Sequence, residues 1–284
     1  MTPDSFSDGG RFYDPHAAVA QGEKMAAEGA AIIDIGGEST RPFSEPVLAE
    51  EEIRRVVPVI EKLAQRVSVP ISIDTTKAAV ARRALEAGAS MINDVSALRF
   101  DPGIAVLAAE FDTPLILMHM LGEPKSMQVL PRYVNLIEEI IIFLEDAVER
   151  AETQGVSRAK IIVDPGIGFG KTVAHNLLLI KHLQAFTRLE LPILIGTSRK
   201  AFIRKILKDT HEPDIGPDLP IVENGTQATV AVAILNGAHS VRVHDVANTI
   251  ATVKILDALM NVQDGEGMAQ RELNGEVGMR NAEK

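Results

Sequence analysis

The feature that most constrains this chain is a repeated unit, a short apolar run that ends in polar or glycine residues and is followed by a helical pattern. Such runs end near positions 36, 74, 94, 118, 164, 196 and 244. Their mean spacing, about 35 residues, is that of one βα unit. Strands that alternate with helices without a break predict a parallel sheet.

Seven such units predict an α/β fold of the (β/α)₈ TIM barrel type that lacks one member. One repeat before Gly36 falls at about residue 1, so the first β-strand is predicted to be absent from the N-terminus of this chain. A doubly wound open sheet is the competing fold, because strand spacing does not show whether a sheet closes.

Composition sets limits on organisation, location and partners. Residues 1–262 are predicted to form a single domain, and residues 263–284 a polar, glycine-rich tail. The N-terminus resembles no signal peptide and no apolar run is long enough for a membrane span. The absence of cysteine fits a cytoplasmic location. A formal net charge of −10 argues against nucleic-acid binding but leaves a small anionic substrate open.

Polar side chains follow every predicted strand. They are Asp34 and Glu38, Asp74, Asn93 and Asp94, His119, Asp164, Ser198 and Lys200, and Arg242 and His244. A single strand-end Asp is commonly a helix cap, whereas a full ring is better explained by a shared pocket. In barrel enzymes this end of the strands is the catalytic face.

The ring is divided by chemistry. Asp74, Asn93 and Asp164 suit a heterocycle, since carboxylates only accept hydrogen bonds and an amide both donates and accepts. The last two units carry a basic group, and the loops there commonly bind phosphate in barrels. Its members are Arg199, Lys200, Arg242 and His244. Because Arg242 and His244 are two residues apart on a predicted strand, both are expected to point to the same face.

The segment Ile161–Lys171 concentrates this design, with a buried strand that leads into Asp164 and then Gly166, Gly168 and Gly170. We expect these glycines to let the chain turn sharply and to leave room for a ring-shaped ligand. The segment does not fit a P-loop, because the position of the first glycine is Pro165, and the glycine spacing also differs from the dinucleotide fingerprint. The histidines outside the basic group lack metal-ligand spacing, so most are predicted to be structural or on the surface.

Taken together, eight segments resemble dihydropteroate synthase. They are residues 2–10 (TPDSFSDGG), 36–42 (GGESTRP), 73–75 (IDT), 92–94 (IND), 117–120 (LMHM), 164–171 (DPGIGFGK), 198–200 (SRK) and 242–245 (RVHD). The resemblance implies a TIM barrel, usually a homodimer, that condenses 6-hydroxymethyl-7,8-dihydropterin diphosphate with 4-aminobenzoate in folate synthesis. It also implies an SN1-like reaction with Mg²⁺ and competition by sulfonamides.

The resemblance also implies roles for individual residues. Pterin binding falls to Asp74, Asn93, Asp164, Lys200, Phe169 and Met118, diphosphate binding to Arg242 and His244, and aminobenzoate binding to Thr40, Arg41, Pro42, Ser198 and Phe6. Catalytic roles fall to Asp8, Lys200, Arg242 and His244, with Phe6 and Asp8 on a mobile first loop.

This chain departs from the family pattern at two places. An asparagine that helps to hold diphosphate and Mg²⁺ in the family would lie just before Met1, so no metal ligand is assigned here. Phe43 stands where the family often has glycine. We therefore expect this chain to be less stable or less active than a version extended upstream. The alternatives are a pterin-dependent methyltransferase barrel and a pterin-binding barrel without turnover.

Overall fold

The computed structural model describes residues 14–39, 44–209, 211 and 214–262. In these residues, short strands alternate with helices. The strands are β1 (Ile33–Gly36), β2 (Ile71–Asp74), β3 (Met91–Asp94), β4 (Leu115–Met118), β5 (Ile161–Asp164), β6 (Leu194–Ile195) and β7 (Ser240–Val241). The α-helices are α1 (Pro15–Ala27), α2 (Ala49–Ala64), α3 (Ala78–Glu86), α4 (Gly103–Glu110), α5 (Leu136–Thr153), α6 (Val173–Lys181), α7 (Ala201–Leu207), α8 (Pro220–Leu235) and α9 (Val246–Asn261). Two 3₁₀ helices span Arg158–Lys160 and Leu183–Leu189.

All strand pairs are parallel, and the strands are neighbours in chain order. Strands β1 to β5 form one sheet and β6 pairs with β7. A bridge between Val163 and Ile193 joins the two sheets. The order never reverses, as it would in a doubly wound sheet. The architecture is therefore the predicted TIM barrel, and within the described residues no strand pairs with the outer edges of β1 and β7.

Alternation along the strands separates two cores. On β4, Leu115 and Leu117 belong to the main core, whose buried residues also come from the surrounding helices. Ile116 belongs instead to a small second cluster with Met91 and Leu194. Successive strand side chains point to opposite faces, so the main core lies between sheet and helices, and the small cluster fills the barrel interior.

Proline occurs inside α2 and at the first position of α8. Helix α2 runs through Pro58, and its buried face includes Val56 and Ile60. Helix α8 begins at Pro220, in its first turn, where no N–H donor is needed. Strands β6 and β7 span two residues each.

No helix among the described residues is long and apolar enough to cross a membrane. The predicted tail, residues 263–284, lies outside the described residues.

Candidate active site

The inward-facing residues at the carboxyl ends of β1 to β5 form the floor of the site. Register places Asp74 beside Asn93, and Met118 beside Asp164. Gly36 lies beside Asp74, and a Cβ there would be 3.3 Å from the Asp74 carbonyl oxygen. Asp74, Asn93, Met118 and Asp164 are all buried. The structure thus brings together the four strand-end residues predicted for pterin binding.

Arg242 connects the two free edges of the barrel. Its Nε donates to Asp34 Oδ2 at 2.6 Å, and a terminal nitrogen donates to Asp74 Oδ2 at 2.9 Å. Asn93 Nδ2 donates to the same Asp34 oxygen at 3.2 Å, and Ser72 donates to the other at 2.7 Å. We call Asp34, Ser72, Asp74, Asn93 and Arg242 the acidic cluster. It brings together acids and a base that the sequence predicts on separate sides of the pocket.

Burial makes the Asp74 carboxylate costly to ionise. It raises the pKa of Asp74 to about 7, although the Arg242 charge opposes the shift. Asp74 can therefore change its protonation state near neutral pH, which is unusual for a carboxyl group and typical of functional sites.

Asp164 and Lys200 form the second charged part of the floor. Burial raises the pKa of Asp164, and the charge of Lys200 opposes this shift. Burial also lowers the pKa of Lys200 to about 8, with Asp164 as the largest opposing influence. The Lys200 ammonium donates to the Ile167 carbonyl and lies 4.8 Å from the centroid of the Phe169 ring.

The glycine loop, residues 166–170, turns through three left-handed conformations, with φ of +74°, +85° and +66° at Gly166, Gly168 and Gly170. A Cβ at Gly166 would lie 1.8 Å from the His119 carbonyl oxygen, and one at Gly170 would lie 2.6 Å from Leu121 Cβ. The glycines are thus needed because the backbone after β4 packs against them. The expectation that they leave room for a ligand ring is wrong at these two positions.

Ser198 and His244 bind each other on the far side of the mouth. Ser198 Oγ lies 2.9 Å from His244 Nδ1, and the His244 amide donates to Ser198 Oγ at 3.3 Å. Strand β7 ends at Val241, so the expectation that Arg242 and His244 share a strand face is wrong. Arg242 reaches the acidic cluster, whereas His244 contacts the loop after β6.

A pocket of about 620 Å³ opens beside Lys200 and Phe169. Apolar side chains such as Val173 and Phe202 line it, together with the polar groups of Gln128 and Asn176. Such a mixture suits a small aromatic ligand that carries a polar or anionic group.

Two predicted residues, Arg199 of the basic group and Asp94 of the ring, do not face the site. Arg199 pairs with Asp218 at 2.7 Å and Glu223 at 3.3 Å, away from the phosphate-binding group predicted for it. The Asp94 carboxylate is fully buried and accepts from the amides of Ser96 and Leu98, so it caps a turn. Alternation explains Asp94, because its neighbour Asn93 points into the barrel.

Several predicted residues lie outside the described part of the chain. They are Phe6, Asp8, Thr40, Arg41, Pro42 and Phe43. Sequence reasoning included Asp34 in the ring but gave it no role, and it did not identify the buried contact between His119 and Lys171. Side chains alternate between the two faces of a strand, so Asp34 lies on the same face as Gly36, two residues later. This signal could have identified Asp34 as an inward-facing residue.

Comparison with known proteins agrees with this geometry. Residues 1–244 match the family model described as pterin binding enzyme. The dihydropteroate synthase of Synechocystis is 48% identical over 258 residues, which cover 91% of this chain and 87% of that protein. The Yersinia pestis dihydropteroate synthase, solved as a sulfonamide drug complex, superposes with a TM-score of 0.86 at 42% identity and 92% coverage of both chains. The Xanthomonas albilineans enzyme, solved with 4-aminobenzoic acid, gives a TM-score of 0.83 at 42% identity, with 92% of this chain and 91% of that chain covered. This chain therefore belongs to the dihydropteroate synthase family of pterin-binding enzymes.

Proposed function

We propose that this chain condenses 6-hydroxymethyl-7,8-dihydropterin diphosphate with 4-aminobenzoate, giving 7,8-dihydropteroate and diphosphate. The observation that carries the proposal is the buried set of Asp74, Asn93 and Asp164 on the inner face, with Lys200 beside it. Its donors and acceptors match a pterin ring, and the high coverage by dihydropteroate synthases gives the reaction class.

The pterin is proposed to bind along the floor. Asp164 accepts N–H donors of the ring, and Asn93 both donates and accepts. A buried carboxylate makes strong charge-assisted hydrogen bonds because water does not compete for it. Met118 and Phe169 belong to one buried apolar cluster, which offers a surface for the flat ring.

The aminobenzoate is proposed to enter through the pocket beside Phe169 and Lys200. Ser198, predicted for the same site, does not line this pocket and bonds to His244 instead. The apolar wall suits the benzene ring, and the lysine charge suits the carboxylate. The predicted contributions of Phe6, Thr40, Arg41 and Pro42 to this site stay predictions.

Chemistry in this site would break the bond between the pterin methylene carbon and the diphosphate oxygen. Diphosphate leaves with the electron pair, and Arg242 and His244 are placed to stabilise its charge. The buried carboxylates would stabilise the pterin cation. The aminobenzoate nitrogen then attacks the methylene carbon and loses a proton. Arg242 has to leave at least one partner of the acidic cluster to contact the diphosphate.

Mg²⁺ dependence and the catalytic role of Asp8 stay proposals taken from the family resemblance. The described residues contain no cluster of three or more His, Asp or Glu side chains suited to a metal ion. Both acids nearest the diphosphate side are already bound to Arg242. Among the described residues, the donor set therefore does not fit the metal.

A homodimer is proposed from the surface of α8 and α9, which pack together. Ile221, Val232 and Leu235 lie on one side of α8 and are 49%, 44% and 59% exposed. On α9, Ile255 and Leu259 are 64% and 60% exposed. Exposed apolar side chains of this size on two helices that pack together suit an interaction surface. Light scattering during gel filtration measures the mass directly, and a monomer at micromolar concentration would contradict the proposal.

We also propose that the protein is located in the cytoplasm.

The decisive test is diphosphate release from the pterin diphosphate, with and without 4-aminobenzoate, together with detection of 7,8-dihydropteroate. We expect release and product only when both substrates are present. Pterin binding without release would favour the pterin-binding barrel without turnover. Pterin binding with methyl transfer to a corrinoid would favour the methyltransferase barrel.

A further inference from the structure

The glycine loop is held by side chains that bind its own backbone carbonyls. Each of the four carbonyls from residue 167 to residue 170 accepts from a side chain of another segment or of the loop's end. The donors are Lys200 to Ile167, Gln128 to Gly168, Lys171 to Phe169 and Tyr133 to Gly170. A glycine-rich segment has many accessible conformations, so such contacts are needed to select one.

Lys171 differs from the other three donors in its environment. Its side chain is buried, with 3% of the residue exposed, and its two hydrogen-bond partners carry no formal charge. Nζ donates to the Phe169 carbonyl at 3.0 Å and lies 2.9 Å from His119 Nδ1. Burial lowers the pKa of Lys171 well below its usual value. An amine this deeply buried is costly, which argues for a specific role.

His119 is a neutral imidazole whose Nδ1 shares a hydrogen bond with the Lys171 amine. Burial, together with the Lys171 charge, lowers its pKa to about 2. Its ring stands edge-on to Phe143 at 4.7 Å between centroids, which fixes the ring plane. Because His119 directly follows Met118, this bond ties the glycine loop to the end of the pterin-binding strand β4.

Lys171 borders the pocket, but its hydrogen bonds are internal to the protein. Both hydrogen bonds turn its amine toward protein atoms. What the bonds fix is the conformation between Gly166 and Lys171. Phe169 lies in that stretch, with its ring 4.8 Å from the Lys200 ammonium.

We propose that Lys171 and His119 are positioning residues of the enzyme, which hold the glycine loop so that Phe169 and Lys200 face the bound pterin. The identity of the ligand, a pterin, rests on the proposed function. The positioning of the loop rests on the structure alone. Neither residue touches the reacting atoms.

The test uses the full chain and four variants. Lys171→Met keeps the length of the side chain and removes the donor. His119→Asn keeps an acceptor near the position of Nδ1, whereas His119→Leu removes it. Lys181→Met, an exposed lysine of α6, is the matched control for loss of a lysine. The readouts are calorimetric binding of 6-hydroxymethyl-7,8-dihydropterin, amide hydrogen exchange of a peptide that spans the glycine loop, and melting temperature.

We expect Lys171→Met and His119→Leu to bind the pterin about tenfold more weakly, the cost of one buried hydrogen bond, and to exchange loop amides faster. His119→Asn and Lys181→Met should bind within about threefold of the parent, a difference below the worth of one such bond. His119→Asn tests the acceptor against the ring, because both His119 variants lose the contact with Phe143.

Two results would overturn the proposal. One is a Lys171→Met variant with unchanged binding and unchanged loop exchange. The other is equal loss in His119→Asn and His119→Leu, which would assign the effect to the lost ring. If the parent chain binds no pterin, the proposed function fails, while faster loop exchange in Lys171→Met would still support the positioning of the loop.

Discussion

The acidic cluster and the glycine loop both lie at the carboxyl ends of the strands, but they are held by different kinds of contacts. In the acidic cluster, charged side chains bind one another, as Arg242 binds Asp34 and Asp74. In the glycine loop, side chains bind backbone carbonyls. A charged substrate can replace a side-chain partner, whereas loss of a backbone contact changes the path of the chain.

The acidic cluster is therefore called the exchangeable half of the site, and the glycine loop, together with Asp164 and Lys200 that bind its backbone, is called the fixed half. Diphosphate offers Arg242 an alternative to its carboxylates, so that half can reorganise when substrate binds. In the glycine loop, a substrate cannot replace a partner in this way. If it bound the side chains that donate to the loop, the buried backbone carbonyls would be left unpaired. We therefore expect substitutions in the fixed half to act on pterin affinity, and those in the exchangeable half to depend on the diphosphate.

The largest effect is expected from Asp164→Asn in the fixed half. The amide replaces charge-assisted acceptors with one weaker acceptor, so kcat/KM should fall about 1000-fold. Asp94→Asn is the matched control, since that strand-end acid caps a turn outside the pocket. It should lower the melting temperature and leave KM for the pterin diphosphate unchanged. A similar loss of kcat/KM in both variants would contradict the assignment of Asp164 to the pterin.

Arg242→Met tests the exchangeable half. We expect KM for the pterin diphosphate to rise about 100-fold, because the anion loses a cationic donor. Binding of 6-hydroxymethyl-7,8-dihydropterin, which has no diphosphate, should weaken much less, and any loss should come through Asp74, whose pKa rises further without the Arg242 charge. Calorimetry with both ligands measures the contrast.

The control for Arg242→Met is Arg199→Met, which removes a guanidinium paired with Asp218 and Glu223 instead. It should leave both affinities unchanged. Equal weakening of the two ligands in Arg242→Met would show that the arginine supports the pterin floor rather than the diphosphate.

The two halves should also differ in their response to pH. Asp74 makes its strongest hydrogen bonds to pterin N–H groups when it is ionised, so affinity should fall as pH drops below about 7, the pKa to which burial raises it. Lys200 loses its charge as pH rises above about 8, and affinity should fall again there. Each limb is worth up to about tenfold per pH unit. Asp74→Asn should flatten the acid limb alone, and persistence of that limb in the variant would assign it to another group.

Much of the fold and of the floor follows from the sequence, because period-two alternation and the strand-end rule act locally. These two rules are enough to predict seven parallel strands and to bring Asp74, Asn93 and Asp164 together. Contacts between distant segments are beyond such rules. Arg242 crosses from β7 to Asp34 on β1, and Lys171 contacts His119 after β4, and no local pattern predicts either pair.

The glycines show the same limit at smaller scale. Their spacing predicts a tight turn, but the backbone that fills the space beside Gly166 comes from the loop after β4. Sequence periodicity predicts the backbone conformation of such a glycine. It does not predict which segment of the protein packs against it. For this reason a ligand was expected where the structure has protein.

Gly168→Ala should give the smallest effect and sharpen the description of the fixed half. The residue has φ of +85°, so alanine adds strain of about 1 kcal/mol. Its Cβ would lie 3.1 Å from Lys200 Cδ, the flexible part of a side chain that can move by a few tenths of an ångström. We expect a lower melting temperature and a weakening of pterin binding by a few fold. Gly216→Ala is the control, since its φ is not positive and its Cβ would meet Leu219 Cγ at 3.7 Å, an ordinary van der Waals contact. A loss of affinity in Gly168→Ala as large as that of Asp164→Asn would mean that the loop tolerates no movement of Lys200.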